Sequence, residues 1–347
     1  MTVAALAPNW LGDLVMAMPA LRALERAVRP EGFVVVASDQ LAPLARLVAP
    51  GSHVAAWRRR KGLAGLRDRL ALAPLLRSLG AGTVVLFPNS FSSGLAAALS
   101  RARERIGTPM HGRGFLLTRT VEPLLEGEHQ ADAYARVAAS AAGGSLRPSP
   151  GDAALEVPEP LRDSAAELLR RHGLDPARER FLALAPGAAY GPAKHWGSAP
   201  FAELAALAAE RALRGVIVGT AADRGEAASI LASMRPAARP ADLTGRTGVA
   251  ELAGVLALAA AFVGNDSGAA HLAAAVGTPT VAIFLSTDPA RTAPRGSRVR
   301  VLASPVECRP CLARTCKLGT YACREAVSPR EVAKALAELL ARPVARG

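Results

Sequence analysis

The chain has 347 residues, half of them apolar and only 4% aromatic, with 42 Lys and Arg against 29 Asp and Glu and a formal net charge of +13. That length supports about two domains of roughly 150 residues each. It excludes a disulfide-stapled miniprotein, and the apolar share excludes a disordered chain. No charge-free run of about 18 apolar residues exists to span a bilayer. The first basic residue after the start is Arg22, and Asp13 interrupts the N-terminal apolar run, which is not the pattern of a secretory leader. A cytoplasmic protein is expected.

Short apolar runs alternate with longer Ala/Leu stretches along the chain. Residues 2–7, 33–37 and 83–87 read as strands in the first half, and 181–185, 215–219, 261–264 and 280–284 in the second. Helices are expected at 19–27, 200–212 and 268–276, with another at 161–172. Such alternation belongs to parallel sheets with crossover helices. A Gly/Pro/Ser-rich stretch around 143–160 marks a boundary. Two α/β domains facing across a cleft, 1–155 and 156–347, are the natural reading.

The charge is unevenly placed. Residues 51–120 hold twelve Lys or Arg against two acids, Asp68 and Glu104, and residues 291–347 hold twelve against four Glu. The rest of the chain is net acidic. Clustered charge of one sign attracts polyanions or an anionic membrane surface, although a solvated basic face explains it equally well. No RRM, zinc-finger or helix-turn-helix signature accompanies it.

Three strand-to-helix turns carry candidate chemistry, because in open α/β sheets these turns face the ligand crevice. Pro8–Asn9–Trp10–Leu11–Gly12–Asp13 follows the first strand and places Asp13 near a helix start, where it is either a helix-end acid or a general base. The loop from Pro186 through Gly187 to Lys194, His195 and Trp196 follows the strand at 181–185. Its small residues let backbone N–H groups approach an anion, and Lys194 can reach a phosphate, but the Walker A ending is absent. The sharpest pattern is GNDSGAAHLAAAVGTPTVAIF at 264–284. Asp266 sits at or near an N-cap, Ser267 and Gly268 form the first turn, and His271 lies one turn on along the same face. Beyond another strand, Asp223 and Glu226 are both placed to accept from ribose hydroxyls, and the sequence does not choose between them. No Asp-x-Asp pair is placed to hold a cation at a diphosphate. Cys308, Cys311, Cys316 and Cys323 cluster as C-x2-C-x4-C-x6-C. In a cytoplasmic protein such a group reads as zinc more readily than as disulfides, but the spacings are not those of a zinc ribbon, and free thiols are the alternative.

Together these segments resemble the ADP-heptose:lipopolysaccharide heptosyltransferases of glycosyltransferase family 9, most closely the heptosyltransferase II branch. The resemblance runs through 8–24, 86–95, 184–196, 264–284 and the cysteine segment 308–323. It implies a GT-B fold of two Rossmann-like domains, the first binding the lipopolysaccharide inner core and the second ADP-heptose. It implies Asp13 as catalytic base and Lys194 at the donor phosphates. Gly187, Asp223, Glu226, Asp266, Ser267, Gly268 and His271 would complete the donor site. Asn9, Asn89, Ser90 and the arginines Arg58, Arg59 and Arg60 would face the acceptor, with Arg101, Arg103 and Arg105 adding attraction for its carboxylates and phosphates. Ala188–Ala189–Tyr190 departs from the family's usual Ala-Glu-aromatic, so a contact from that glutamate is lost. The expected enzyme inverts configuration, needs no cofactor for catalysis, and works on the cytoplasmic face of the inner membrane. Two other readings remain: the same fold with another nucleotide sugar or acceptor, and a non-enzymatic basic protein binding RNA or membrane. The convergent donor motif argues against the latter, and no nucleic-acid partner is expected.

Overall fold

Each of the seven apolar runs forms a strand, and five further strands join them to make two six-stranded sheets. The computed structural model describes residues 2–28, 32–60, 62–144 and 146–341. Lys61, Arg342 and Arg346, counted in the basic stretches, lie outside the described residues. The chain divides into two units, Met1–Leu155 and Glu156–Gly347.

In the first unit the strands are β1 (Thr2–Leu6), β2 (Phe33–Ser38), β3 (His53–Trp57), β4 (Ala81–Leu86), β5 (Glu104–Gly107) and β6 (Arg119–Thr120). The helices are α1 (Leu11–Val28), α2 (Ala42–Val48), α3 (Gly62–Leu70), α4 (Leu72–Ser78), α5 (Phe91–Leu99) and α6 (Gln130–Ala141). The sheet is parallel, in the order β3-β2-β1-β4-β5-β6, with Val3 beside Phe33 and Leu6 beside Leu86. The order reverses between β1 and β4. A crevice opens at such a point, outside the carboxyl ends of the strands.

The second unit repeats the plan. Its strands are β7 (Phe181–Ala185), β8 (Arg214–Ile217), β9 (Ala241–Asp242), β10 (Ala261–Asn265), β11 (Thr280–Phe284) and β12 (Val299–Ala303). Its helices are α7 (Glu159–Arg171), α8 (Ser198–Ala209), α9 (Arg224–Ala232), α10 (Val249–Leu258), α11 (Gly268–Ala275), α12 (Pro289–Thr292), α13 (Ala322–Glu325) and α14 (Pro329–Ala341). The order β12-β11-β10-β7-β8-β9 reverses between β7 and β10.

Burial explains which strands the pattern reveals. β2, β7, β10 and β11 are buried at every residue, as strands covered on both faces must be, so they read as continuous apolar runs. The strands that escape the pattern are β3 and β12, part-exposed, together with the short β5 and the two-residue β6 and β9. The first helix begins at Leu11, in line with Asp13 near a helix start, and runs through the 19–27 segment with Pro19 inside it. Burial of Leu14, Val15, Met16, Ala17 and Met18 outweighs the hydrogen bond that a proline removes. The 143–160 stretch is not a free linker: Asp152 accepts two hydrogen bonds from Arg26 of α1, at 2.6 and 2.7 Å. Among the described residues, no helix is long and apolar enough to cross a membrane.

Candidate active site

Each switch point carries a polar cluster. In the first unit it lines a cavity of about 390 Å³ that includes Asn9, Trp10, Asp13, Trp57, Arg59, Arg69, Asn89, Ser90 and Tyr134. Asp13, in the first turn of α1, accepts a 2.8 Å hydrogen bond at Oδ1 from the Tyr134 hydroxyl of α6. Tyr134 is buried, with its ring edge-on to Phe87 at 5.8 Å. Burial, then the Asp13 charge, raises its pKa well above the usual phenol value, so the hydroxyl stays a donor. Asn9 Oδ1 and Trp57 Nε1 are buried with no hydrogen-bond partner among the described residues. Unfilled polar capacity in a cavity suits a hydroxyl-rich ligand.

The three arginines expected at the acceptor separate. Arg59 lines the cavity, its guanidinium 5.8 Å over the Trp10 ring. Arg60 turns to Asp68, at 2.7 and 3.0 Å, and this partner holds the Asp68 carboxyl below its usual range. Arg58 is exposed and does not line the cavity. Arg69 of α3 does line it, and sequence reasoning missed it. Arg101 and Arg103 precede β5, at the opposite end of the sheet from the cavity. Arg105 donates to the carbonyls of Ala102 and Leu116, each at 2.7 Å.

Arg113, counted with the basic surface, is fully buried. It donates to the carbonyls of Pro88 (2.5 Å), Ser90 (3.2 Å) and Thr108 (2.9 Å) and to Ser93 Oγ (2.8 Å). Burial lowers its pKa to about 10. Glycines make room for it: a Cβ at Gly94 would lie 3.2 Å from Arg113 Cδ, and one at Gly107 3.1 Å from its Nη2. Thr108 in turn donates to Asn89 Oδ1 at 2.7 Å. Asn89 therefore keeps its amide N–H groups for a ligand in the cavity.

In the second unit the cluster sits past β7 and β10. Lys194 Nζ is 2.6 Å from Asp266 Oδ2, which also accepts from Thr287 Oγ1 at 2.6 Å. The ammonium lies 5.0 Å over the Tyr190 ring. Asp266 lies next to the N-cap, which is Ser267, and its carboxylate turns to Lys194 and Thr287. Ser267 Oγ is buried with no partner among the described residues. Gly268 opens α11, and His271 is buried one turn along. Asn265, missed as a functional position, is fully buried. It accepts from Trp196 N at 3.1 Å and donates to Pro186 O at 2.5 Å, which fixes the loop between Gly187 and Lys194 onto β10.

The two ribose candidates also differ. The Asp223 carboxylate packs so closely on Gly187 that a Cβ there would lie 2.0 Å from Oδ1, and its Oδ2 accepts from Thr220 N at 2.7 Å. Glu226 accepts from Ser198 Oγ at 2.9 Å, tying α9 to the start of α8.

The four cysteines form no disulfide, with Cys308 exposed and Cys311, Cys316 and Cys323 half-buried. Among the described residues, no three His, Cys, Asp or Glu side chains come together in a metal-holding group. The cysteine segment also braces the Lys194 loop. Arg314 O accepts from Ala193 N at 2.9 Å, Leu312 O accepts from the Tyr190 hydroxyl at 2.8 Å, and Arg324 donates to Pro192 O at 2.8 Å.

Two Rossmann-like units, each with its polar cluster at the sheet's switch point, define a GT-B-type α/β fold. The profile of glycosyltransferase family 9 (heptosyltransferase) matches residues 69–322. The chain belongs to that family and is a glycosyltransferase. It is 27% identical over 318 residues to lipopolysaccharide heptosyltransferase 2 of Salmonella typhimurium, covering 87% of this chain and 88% of that one. The solved structure of an E. coli ADP-heptose lipopolysaccharide heptosyltransferase II superposes with a TM-score of 0.81 at 24% identity, covering 98% of each chain. A second E. coli heptosyltransferase, solved with ADP-2-deoxy-2-fluoro heptose, gives 0.68 at 19% identity, covering 97% of this chain and 99% of that one.

Proposed function

We propose that this enzyme moves heptose from ADP-heptose to a heptose hydroxyl of the lipopolysaccharide inner core, a reading supported by relatives named lipopolysaccharide heptosyltransferase 2 and a structural neighbour named ADP-heptose lipopolysaccharide heptosyltransferase II. The observation that carries the reading is Asp13, held by Tyr134 on the wall of a cavity that also presents Arg59 and Arg69. A base beside two cations suits an acceptor that is both hydroxylated and anionic.

In this mechanism the acceptor hydroxyl gives its proton to Asp13. Its oxygen forms a bond to the donor anomeric carbon as the bond from that carbon to the ADP oxygen breaks, with inversion. Lys194, the α11 N-terminus and Ser267 Oγ take up the charge growing on the departing diphosphate, in the place of a metal ion. An ammonium has three donors, so the bond to Asp266 orients Lys194 without exhausting it. Asp223 is assigned to the ribose by its place against Gly187 in the donor loop, with its Oδ2 held by Thr220 as Glu226 is held by Ser198. The acceptor places the enzyme at the cytoplasmic face of the inner membrane.

The test is ADP release by the purified protein, given ADP-heptose and a heptose-deficient core, with and without chelator. Release that requires the acceptor and survives chelation is the expected result. Release lost on chelation overturns the metal-independent step. No release from folded protein, followed by turnover with another nucleotide sugar, overturns the donor.

A further inference from the structure

The C-terminal edge of the first sheet carries an apolar rim that the reaction does not use. Phe91 opens α5, and Phe115 lies in the 3-10 turn Gly114–Leu116. Their rings are 6.3 Å apart, yet Phe91 is 43% and Phe115 76% exposed. Neither lines the acceptor cavity, although Ser90 and Ser92, the residues on either side of Phe91, both do. Trp10, 56% exposed, adds a third aromatic from the cavity wall. Exposed apolar groups gathered beside charge mark an interaction surface.

The topology supplies that charge. Neighbouring strands in the order β3-β2-β1-β4-β5 run parallel, so residues just past their C-terminal ends share one edge. Arg58 and Arg59 follow β3, Trp10 follows β1 and Phe91 follows β4, and the ring contact brings Phe115, from the connection between β5 and β6, beside Phe91. α3, which packs against α5, adds the exposed Arg67 and Arg69. The edge is thus basic at its β3 side and aromatic from β1 to β4.

We propose that this edge docks on an anionic lipid bilayer, with Phe91 and Phe115 seated at headgroup level and the arginines against lipid phosphates. The pairing of features selects the occupant. A soluble polyanion would use the arginines and leave the phenyl rings in water. A neutral bilayer would use the rings and leave the arginines unmatched. Aromatic rings favour the membrane interface, and basic groups near anionic lipid add attraction that salt screens within a Debye length. The inference deepens, and rests on, the reading of the acceptor as a lipid-borne glycan. Docked this way, the cavity beside Asp13 faces the surface in which that acceptor is anchored.

The full-length protein is sedimented with vesicles of phosphatidylcholine alone and with phosphatidylglycerol added. Wild type is expected to bind the anionic vesicles, not the neutral ones, and to release them as salt rises. The Phe91→Ser/Phe115→Ser variant is expected to bind them at least about tenfold more weakly. It should keep the wild-type melting temperature and wild-type turnover of a deacylated, water-soluble acceptor. Should the double variant melt early, Phe115→Ser alone, at the more exposed ring, repeats the comparison. Wild type that stays in the supernatant overturns the proposal. So does binding that ignores lipid charge, or folded variants that bind as tightly as wild type. Failure of wild type to turn over the soluble acceptor strikes the heptosyltransferase reading instead, because vesicle binding is measured without substrate.

Discussion

The two switch points solve the same problem with different materials. In the second unit the cluster is built mostly from chain neighbours: Asn265, Asp266, Ser267, Gly268 and His271 fall within one strand end and one helix turn. Lys194 and Thr287 join it from elsewhere in the chain. A diphosphate calls for backbone N–H groups and a cation, and a helix start supplies the first in a single stroke. In the first unit the cluster is assembled from afar. Asp13 meets Tyr134 across 121 positions, and Asn89 is reached through Thr108 from the buried Arg113. A branched, hydroxylated acceptor calls for side chains from several directions, and a sheet edge can gather them only from separate loops.

If that contrast is right, substitutions in the two units should fail in different ways. The largest effect is expected at Asp13. Asp13→Asn should lower kcat by about 10²–10⁴-fold while leaving ADP-heptose affinity intact, measured by calorimetry against turnover. Lost donor binding by a folded variant would place Asp13 with the donor and erase the contrast. Next is Lys194→Ala. Losing a charge-assisted bond to phosphate of about 1.5–3 kcal/mol should weaken donor binding about 10–100-fold, with acceptor KM unchanged.

Arg113→Lys comes third and tests whether the acceptor side depends on a buried brace. One ammonium cannot reach all five oxygens that the guanidinium now serves, so a destabilisation of about 2–4 kcal/mol is expected. In the molecules that remain folded, acceptor KM should rise while donor affinity holds. A variant of normal stability and normal KM would show that Asn89 needs no such support.

These same residues show what a sequence can display. The donor motif was readable because its parts are contiguous and tied to a helix start with a Gly277 stop, where φ is +84°. The central strands were readable because burial on both faces makes them continuously apolar. Tyr134 left a trace, a lone polar-tipped ring on the buried face of α6 with Ala133, Val137 and Ala138, and such a tip needs a partner. Nothing local names that partner as Asp13. Arg113 left no trace, because an arginine between two glycines in a basic stretch looks like solvated charge. The Arg58, Arg59 and Arg60 run shows the same limit: adjacent residues of one type meet different surroundings once the chain folds.

Tyr134→Phe should slow turnover about 3–10-fold, the worth of one hydrogen bond of about 0.5–1.5 kcal/mol. It also carries a signature in pH. The folded-state pKa of Tyr134 lies above its unfolded value, so the protonated phenol favours the folded state. That contribution is complete below about pH 10 and is lost as pH rises through the folded pKa. A phenolate titration followed by absorbance should show a late-ionising phase in wild type that Tyr134→Phe removes. A variant with the wild-type titration would place the late group elsewhere and uncouple Tyr134 from Asp13.

The smallest effect separates neighbours in the arginine run. Arg59 lines the cavity, whereas the Arg60 guanidinium is committed to Asp68. Arg59→Ser should raise acceptor KM several-fold, the scale of a partly exposed ion pair of about 1 kcal/mol. Arg60→Ser should leave that KM within about twofold, because an exposed charge with a nearer partner adds little at a distance. Its cost should appear in the turn after β3, where Asp68 keeps only the backbone N–H of residue 60 as a donor from that residue. Equal KM increases in both variants would mean that the acceptor reads the summed field of the basic stretch. Unequal ones would mean that the acceptor side, like the donor side, reads particular side chains, only from residues the chain does not keep together.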